Sequence, residues 1–377
     1  MRDAKMESYG GMAWLDYHAR LELPRDVIQD DDQAFVEVVP RALGVVAAIT
    51  PWNFPVSSAC TKIAPALLAG NTVVLKPSPF TPLATLRMGE MLQSVFPPGV
   101  LNVVSGSDDV GARMTAHPAV RKISFTGSVA TGKRVAAAAA PDLKRMTLEL
   151  GGNDPAIVLE DADVETVAQG IFQGAFGNSG QICSAIKRVY APRAMAADLV
   201  DALAALANAA VVGDGREDGT QYGPLTTRAQ QTRVGELVDD AVTSGARAAA
   251  GGAALDRPGW FFAPTIVAGA ADGMRLVDEE QFGPALPVVA YDDVDDAIVR
   301  ANGTHFGLDA SVWGTDADRA DAVAQQMECG TTWVNTHLMQ GPSQPFGGTK
   351  WSGYGVENGV QGLAGFYSLQ TRYRARG

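Results

Sequence analysis

The strongest constraint on the fold is a regular alternation of short β-branched runs with helical stretches between Gly44 and Glu149. Strands are predicted at 45–49, 72–75, 101–104, 122–125 and 146–150, with helices at 57–68, 83–95, 112–116 and 128–139. The run Val73-Val74-Leu75 is apolar at every position, which is typical of a parallel strand that helices cover on both faces. The segment is therefore predicted to form a doubly wound parallel sheet.

A second α/β series follows the Gly151-Gly152 turn. Helices are predicted at 163–176, 194–210, 228–244, 293–301 and 317–327, and strands at 262–267, 286–291, 310–313 and 331–335. The alanine tract 248–250 is interpreted as helix or loop. Residues 35–41 and 367–373 alternate apolar and polar side chains, so both are predicted to be antiparallel strands outside the main sheets. The first residues are predicted to form a helix through Leu15, followed by an acidic loop at 30–32.

Composition excludes several classes of protein. A length of 377 residues, 46% of them apolar, favours two globular domains. The net charge of −12 would repel a nucleic acid backbone. We expect no membrane span and a cytoplasmic location, because no run of eighteen apolar residues occurs and the N-terminus lacks a secretory pattern. The 3 cysteines and 4 histidines lack the spacing of metal ligands, so no metal is predicted.

Cys183 is a candidate nucleophile. It follows a predicted helix and the breaker Gly177-Asn178-Ser179-Gly180, which places a lone thiol on a loop. A nearby positive field or backbone N–H groups would favour its reactive thiolate form. The alternative is a small buried hydrophobic residue, which is the interpretation we favour for Cys60 and Cys329.

Two other residues have the chemistry of an acyl-transfer site. Glu149 ends a predicted buried strand, where burial would raise its pKa and suit it as a general base. It could instead be a structural carboxylate paired with Lys144 or Arg145. Asn53 lies between Pro51 and Pro55 as a rigid amide donor for a carbonyl oxygen, or as an ordinary turn residue.

Two strand ends are candidate nucleotide sites. Lys76-Pro77-Ser78-Pro79 and Phe125-Thr126-Gly127-Ser128 each end a predicted strand and precede a helix. Helix N-termini attract phosphate, and a lysine at a strand end can bind ribose hydroxyls. The usual glycine fingerprint of dinucleotide-binding folds is absent, so this spacing alone is a weak signal.

Seven segments, taken together and in this order, resemble the aldehyde dehydrogenase superfamily. They are 51–55, 76–78, 125–128, 149–152, 180–183, Glu280-Gln281-Phe282-Gly283-Pro284 and Pro345-Phe346-Gly347-Gly348. The resemblance covers the chain from about Phe35 to Tyr373. It implies a dinucleotide-binding domain (1–33 and 48–151), a catalytic domain (152–351) and bridging strands (34–47 and 366–377) used in homo-oligomer formation. It also implies further strands and helices ahead of Met1, so we expect part of the cofactor domain to be absent.

The resemblance assigns roles to individual residues. Cys183 would attack the aldehyde, Asn53 and the Cys183 N–H would hold the oxyanion, and Glu149 would activate the water that hydrolyses the thioester. Lys62 and Glu357 resemble the family's proton-carrying pair. The implied cofactor-binding residues are Thr50, Pro51, Trp52, Lys76, Ser78, Gly106, Phe125, Gly127, Ser128, Glu149, Leu150, Gly151, Glu280 and Phe282. The implied substrate-binding residues are Asn53, Ser58, Thr61, Ile182, Ser184, His337 and Phe346.

Cofactor and substrate preferences follow from smaller features. Pro79 stands where many NAD-dependent members have a glutamate for the adenosine ribose, so NADP becomes possible. NAD is still favoured, because no arginine stands beside Lys76 to pair with a 2′-phosphate. Small side chains at Ser58 and Thr61 favour a medium or aromatic aldehyde. Hydrolysis is favoured over transfer of the acyl group to coenzyme A because Glu149 is present. The alternative function is a catalytically impaired member with a structural or interaction role.

Overall fold

The computed structural model describes residues 2–377, which divide into two compact units. The N-terminal unit comprises residues 2–149, 340–347 and 354–377, and the central unit comprises residues 150–339 and 348–353. Each unit has its own β-sheet and its own buried apolar core. The division between the units falls between Glu149 and Leu150.

The helices and strands have the following bounds. The helices are α1 (Arg2–Ala19), α2 (Ser57–Leu68), α3 (Leu83–Leu92), α4 (Asp108–Ala116), α5 (Val129–Ala139), α6 (Val164–Phe176), α7 (Ala196–Ala209), α8 (Arg228–Thr243), α9 (Arg275–Asp278), α10 (Val294–Asn302), α11 (Ala317–Ala324) and α12 (Gly359–Ala364). The strands are β1 (Asp26–Asp30), β2 (Ala34–Ala42), β3 (Val45–Ile49), β4 (Thr72–Lys76), β5 (Leu101–Val103), β6 (Val120–Thr126), β7 (Arg145–Glu149), β8 (Asp154–Val158), β9 (Ile186–Pro192), β10 (Arg247–Ala250), β11 (Thr265–Ala270), β12 (Ala285–Tyr291), β13 (Asp309–Trp313), β14 (Thr331–Val334), β15 (Gly353–Tyr354) and β16 (Tyr367–Ala375).

The N-terminal unit contains the predicted doubly wound sheet. Its six strands have the order β15-β7-β6-β3-β4-β5, and the pairs from β7 to β5 are parallel. Val46 of β3 and Val73 of β4 are fully buried, and they pack with Ile63 of α2 and Phe366. Burial of β-branched side chains against helices therefore stabilises this sheet, as the sequence pattern predicted.

The central unit confirms the second α/β series. Its seven strands have the order β10-β11-β12-β9-β8-β13-β14, and every pair is parallel except the edge pair of β10 and β11. Successive residues of β8 and the residue that follows it pack in opposite clusters: Ala156 and Val158 belong to one apolar cluster, and Ile157 and Leu159 belong to the other. Because a strand alternates its side chains, both faces of this sheet are covered.

A three-stranded antiparallel sheet completes the fold. The predicted strands at 35–41 and 367–373 are confirmed as β2 and β16, which pair with each other, and β1 pairs with the other edge of β2. The sequence analysis did not predict β1. It also assigned residues 45–47 to this element, whereas they belong to β3 of the six-stranded sheet.

Three parts of the central sheet differ from the sequence analysis. The alanine tract 248–250, interpreted as helix or loop, lies in the edge strand β10 because pairing with β11 overrides the helix propensity of alanine. Strands β8 and β9 were not predicted. No helix within residues 2–377 is long and apolar enough to cross a membrane.

Candidate active site

The carboxyl ends of four parallel strands meet at one edge of the N-terminal sheet. Ile49 of β3 is in register with Lys76 of β4 and Phe125 of β6, and Thr126 is in register with Glu149 of β7. The Thr50 N–H donates to the Lys76 carbonyl at 3.1 Å, and the Gly127 N–H donates to the Glu149 carbonyl at 3.0 Å. The sheet therefore brings these sequence-predicted residues together where α/β folds bind ligands.

A backbone cradle lies at this edge. Ser128 caps α5, because its hydroxyl accepts from the Thr131 N–H at 3.3 Å. A Cβ at Gly127 would lie 2.6 Å from the Phe125 ring, and one at Gly106 would lie 2.5 Å from Val110 Cγ2. A Cβ at either position would collide with a neighbouring side chain, so glycine allows the backbone to pack closely beside a helix N-terminus, where anions bind favourably.

Lys76 lies at the end of β4 and is buried from solvent. Its side chain is 3% exposed, its Nζ donates to the Pro77 carbonyl at 3.4 Å, and burial lowers its pKa while the nearby Asp108 carboxylate raises it. The neighbouring Ser78 hydroxyl accepts from the Phe80 N–H at 3.3 Å. A buried amine at a strand end can exchange a weak backbone contact for ligand hydroxyls.

Asn53 lies on a loop whose backbone is tied at two points. The Trp52 carbonyl accepts from the Thr81 hydroxyl at 2.9 Å, and the Pro55 carbonyl accepts from the Thr85 hydroxyl at 3.0 Å. Asn53 itself is half-buried. A fixed backbone on both sides preorganises the amide, which is what an oxyanion donor requires.

Glu149 is 3% exposed at the end of β7. Lys144 and Arg145, the two structural partners that the sequence analysis considered, donate to backbone carbonyls. Lys144 donates to the Thr115 and His117 carbonyls at 3.0 and 2.7 Å, and Arg145 donates to the Tyr367 carbonyl at 2.8 Å. The arrangement is compatible with a general base, whose role stays a prediction.

The structure places Lys62 and Glu357 in direct contact, although 294 residues separate them in the chain. Lys62 is fully buried on α2, and its ammonium bonds the Glu357 carboxylate. It also donates to the hydroxyls of Ser124 and Thr126 at 3.3 and 2.8 Å, and the Ser124 hydroxyl donates to the same carboxylate at 3.1 Å. We call Lys62, Ser124, Thr126 and Glu357 the relay cluster, because its acceptors include rotatable hydroxyls and a titratable carboxylate.

In the central unit, Cys183 lies on a tight turn between α6 and β9. Asn178 and Ser179 have φ of 48° and 55°, and Gly180 has φ of 73°. A Cβ at Gly180 would lie only 2.3 Å from the Gly283 carbonyl oxygen. Gln181 ties the turn to the rest of the unit, since its side-chain oxygen accepts from the Thr226 N–H at 2.9 Å. The thiol therefore lies on a strongly constrained loop, as the sequence predicted.

The surroundings of Cys183 oppose ionisation. The pKa of the thiol is raised to about 12, mainly by burial; the ammonium of Lys187 lowers it, and the carboxyls of Asp309, Asp154 and Glu280 contribute to the rise. The residue nevertheless keeps partial exposure. Attack on a carbonyl would therefore need removal of the proton as substrate binds.

The other two cysteines have ordinary structural positions. Cys60 is 1% exposed on α2, and burial raises the pKa of its thiol to about 12. Cys329 donates to the Thr331 carbonyl at 3.2 Å, and burial raises its pKa. Within residues 2–377 no cluster of three or more His, Cys, Asp or Glu side chains could hold a metal ion.

Glu280 and Phe282 lie on the segment before β12. The Glu280 carboxylate accepts from the Gly152 N–H at 3.1 Å, and burial raises its pKa while Lys187 lowers it. A Cβ at Gly151 would lie 2.2 Å from Glu280 Oε2, so the carboxylate needs a glycine beneath it. Phe282 has φ of 49°, and its ring centroid lies 5.8 Å from Lys187 Nζ.

The predicted substrate residues belong to both units. Ser58, Thr61 and Phe346 lie in the N-terminal unit, and Ile182, Ser184 and His337 lie in the central unit. His337 is 8% exposed, its Nε2 contacts the Ser184 carbonyl at 2.7 Å, and burial lowers its pKa to about 3. The ring is therefore neutral and donates to that carbonyl.

Lys187 is the residue that the sequence analysis missed. It lies in β9 with 1% exposure, and its Nζ donates to the carbonyls of Ile182, Cys183 and Ala185 at 2.6, 3.0 and 3.1 Å. The signal in the sequence was a lysine four residues after Cys183, in a short segment that also contains Ile186, Val189 and Tyr190.

Known proteins of one family match this chain in sequence and in fold. The model of the aldehyde dehydrogenase family matches residues 2–372. A betaine aldehyde dehydrogenase from Sinorhizobium fredii (strain NBRC 101917 / NGR234) is 42% identical over 350 residues, which are 92% of this chain and 72% of that protein. The comparisons give no support to the alternative of a structural or interaction role.

Two solved structures extend the comparison. The NAD⁺ complex of an aldehyde dehydrogenase from Bacillus cereus has a TM-score of 0.92 at 36% identity, with 97% of this chain and 74% of that chain covered. An NADP-dependent enzyme from E. coli has a TM-score of 0.95 at 36% identity, with 99% and 79% covered. The family match across nearly the whole chain, and the agreement in fold, show that this chain belongs to the aldehyde dehydrogenase family.

Proposed function

We propose that this chain oxidises an aldehyde to a carboxylic acid, with Cys183 as the nucleophile and a nicotinamide dinucleotide as the hydride acceptor. The placement of Cys183 carries this proposal. It is a partly exposed thiol on a constrained turn, whereas Cys60 is buried in a helix and Cys329 is bonded to a backbone carbonyl. Reactive cysteines are found on such accessible, positioned loops.

The residues at the sheet edge fit a dinucleotide. Ser128 caps α5, and the N-terminus of this helix is suited to a pyrophosphate. Lys76 and Glu280 would bind ribose hydroxyls. When bound, the nicotinamide supplies the hydride acceptor of the reaction. We favour NAD over NADP, since a 2′-phosphate would find the ammonium of Lys76 but no arginine beside it in the sequence.

The chain's own residues would carry the remaining steps. The Cys183 sulfur would attack the aldehyde carbon, and the Asn53 amide and the Cys183 N–H would donate to the developing oxyanion. Loss of hydride from the resulting thiohemiacetal leaves a thioester. Glu149 would take a proton from water as the water oxygen attacks the thioester carbon, and the bond between that carbon and the Cys183 sulfur would break, which releases the carboxylic acid and returns Cys183 as the thiolate.

The relay cluster would return the proton of that water to solvent. Lys62 and Glu357 are already in hydrogen-bonded contact, and Ser124 bonds both of them. Hydroxyls can donate and accept at once, so a proton can pass along them by rotation of the hydroxyl group. This makes the cluster a route for protons in addition to a stabilising ion pair.

The candidate substrate residues favour an uncharged aldehyde of medium size or with an aromatic ring. Ser58 and Thr61 are small, and the Thr61 hydroxyl is satisfied by the Ser58 carbonyl at 2.9 Å. The neutral ring of His337 adds no charge to the set. No arginine is among these residues, which disfavours a substrate that carries a carboxylate.

The oligomeric state is a further part of the proposal. In the three-stranded sheet, Ile28 of β1 and Leu369 and Tyr373 of β16 are each about two-thirds exposed. Exposed apolar side chains on a sheet edge favour association with a second copy of the chain. Light scattering after size-exclusion chromatography would show a mass above that of one chain, and a monomer at micromolar concentration would contradict this.

The first experiment is the reduction of NAD⁺ and NADP⁺ with a panel of acetaldehyde, hexanal, benzaldehyde, betaine aldehyde and succinic semialdehyde. It compares the wild type with Cys183→Ala and, as a matched control, Cys329→Ala. We expect activity in the wild type and the control, and none with Cys183→Ala. Preference for hexanal or benzaldehyde supports the substrate class, and a higher kcat/KM for acetaldehyde contradicts it. If no dinucleotide binds or is reduced, the proposed function is wrong.

A further inference from the structure

Lys187 uses its whole hydrogen-bonding capacity on the backbone around Cys183. Its Nζ lies 2.6, 3.0 and 3.1 Å from the carbonyl oxygens of residues 182, 183 and 185. A neutral amine has only two N–H donors, whereas an ammonium has three. Three acceptor carbonyls around one nitrogen therefore indicate a positively charged Lys187 that is buried directly behind the nucleophile.

His337 bonds the one carbonyl between residues 182 and 185 that Lys187 does not reach. Its neutral ring donates from Nε2 to the carbonyl of Ser184 at 2.7 Å. The four consecutive carbonyls from Ile182 to Ala185 are thus all bonded to two side chains that lie outside the turn. Peptide groups fixed in this way cannot rotate their carbonyls towards the sulfur, so the negative ends of their dipoles remain on the lysine side.

The remaining sides of the turn are also closed. A Cβ at Gly152 would lie 2.7 Å from the Cys183 carbonyl oxygen, so the chain packs directly against that peptide. Asp154 of β8 and Asp309 of β13 are each 1% exposed, and burial raises the pKa of both carboxyls while the ammonium of Lys187 lowers it. The charges of Asp154, Asp309 and Glu280 raise the pKa of the Cys183 thiol, and the charge of Lys187 lowers it.

We propose that Lys187 and His337 are positioning residues for the nucleophile, which hold the four carbonyls of the Cys183 turn, and that Lys187 also supplies the positive charge that favours the thiolate over the thiol. The proposal rests on the proposed function of Cys183. Neither side chain reacts with substrate in it. The three carbonyl oxygens stabilise the ammonium form of Lys187 by accepting its hydrogen bonds.

The test measures the alkylation of Cys183 by iodoacetamide across pH, with the modified peptide quantified by mass spectrometry, beside kcat/KM for the best aldehyde. Lys187→Met removes charge and donors, and Lys187→Gln keeps an N–H donor without the charge. We expect both variants to raise the pH midpoint of alkylation by about one unit or more, so that alkylation near neutral pH and kcat/KM each fall at least about tenfold. Retained dinucleotide affinity would show that the fold is intact.

His337 provides an independent arm that keeps the proposal testable if the Lys187 variants do not fold. His337→Leu removes the donor, and His337→Gln restores an N–H donor to the Ser184 carbonyl. We expect the leucine variant to lose about five- to tenfold in kcat/KM with the alkylation midpoint unchanged, since no charge is removed, and the glutamine variant to recover most of it. Equal losses in both variants would contradict a role through this hydrogen bond.

The outcomes separate this proposal from the one on which it rests. If Cys183→Ala keeps dehydrogenase activity, the nucleophile is assigned wrongly and both proposals fail. If Cys183→Ala is inactive but the Lys187 variants alkylate with the wild-type midpoint, only the role of Lys187 is wrong. A fall in kcat/KM without any shift of the midpoint would also overturn it, because a merely structural lysine predicts that result.

Discussion

Two buried lysines of this chain use the same three donors in opposite ways. Lys187 bonds three backbone carbonyls beside Cys183. Lys62 bonds a carboxylate and two hydroxyls in the relay cluster. Carbonyls of a packed turn neither titrate nor rotate, whereas hydroxyls turn and carboxylates accept protons. The first arrangement therefore suits holding a group in place, and the second suits moving a proton.

Among the variants that test this comparison of Lys187 with Lys62, Glu149→Gln should have the largest effect on kcat. If Glu149 is the base whose proton the relay cluster accepts, its loss should stop hydrolysis of the thioester and lower kcat about 10²- to 10⁴-fold. A rapid first turnover should survive, so stopped-flow measurement should show a burst of reduced cofactor near one equivalent per active cysteine. If the Glu149→Gln variant turns over at the wild-type steady-state rate, Glu149 is not the base and the relay cluster has no proton to accept from it.

Breaking the relay ion pair should cost stability as well as rate. Lys62→Met leaves the Glu357 carboxylate buried without its cation, which should destabilise the fold by about 3–5 kcal/mol. The double variant Lys62→Met with Glu357→Leu removes both charges and should recover most of that loss, although catalysis stays impaired. Thermal unfolding measures the first effect and kcat the second. Full activity in the double variant would mean that the pair is only structural.

A smaller change tests whether the hydroxyls matter. Ser124→Ala removes the hydroxyl that bonds both Lys62 and Glu357 while the ion pair stays in place. We expect kcat to fall no more than about fivefold, which corresponds to about 1 kcal/mol, and the solvent deuterium isotope effect to increase. The control is Thr81→Ala, a hydroxyl bonded to the Trp52 carbonyl outside the cluster. An isotope effect equal to that of the wild type would contradict proton transfer through Ser124.

The smallest expected effect is on the pH dependence of thermal stability, and it comes from the ring of His337 beside the Cys183 turn. Burial lowers the pKa of His337 from 6.5 to about 3, so between these values the unfolded chain binds a proton that the folded chain does not. The stability from the neutral ring is thus present above about pH 6.5 and is lost as pH falls towards about 3. The thermal midpoint of the wild type should therefore fall more steeply than that of His337→Gln between about pH 6.5 and about pH 4.5. Parallel curves would mean that the ring is not held neutral.

The sequence predicted strands from their apolar runs and missed β8 and β9, which carry charged residues. β3 and the helix α2 were predicted with the bounds that the structure shows. β8 begins with Asp154 and β9 contains Lys187 and Arg188, so neither has the uninterrupted apolar run that marks a buried strand. Lys187 and Arg188 are tolerated because they donate to backbone carbonyls, and Asp154 because it accepts from the Asp309 N–H; no local sequence pattern records these partners.

The residues of the candidate site also fall into those that the local sequence predicted and those that it did not. The positions of Cys183, Glu149 and Asn53 at strand ends and turns could be inferred from their neighbours in the sequence. The pairing of Lys62 with Glu357 could come only from resemblance to a family, because their distance in the chain carries no local signal. Lys187 was missed because a lysine in a strand usually indicates a solvent-exposed face.

The contact between Gly180 and the Gly283 carbonyl limits how this chain can vary. Two segments about 100 residues apart touch there through backbone alone, and a Cβ at Gly180 would lie 2.3 Å from the oxygen. A saturation library should therefore reject every replacement at position 180. At Gly223, by contrast, a Cβ would meet nothing within 4 Å, and many replacements should survive. Tolerance to change at these two glycines is thus decided by the space around each one, independently of how near either lies to the chemistry.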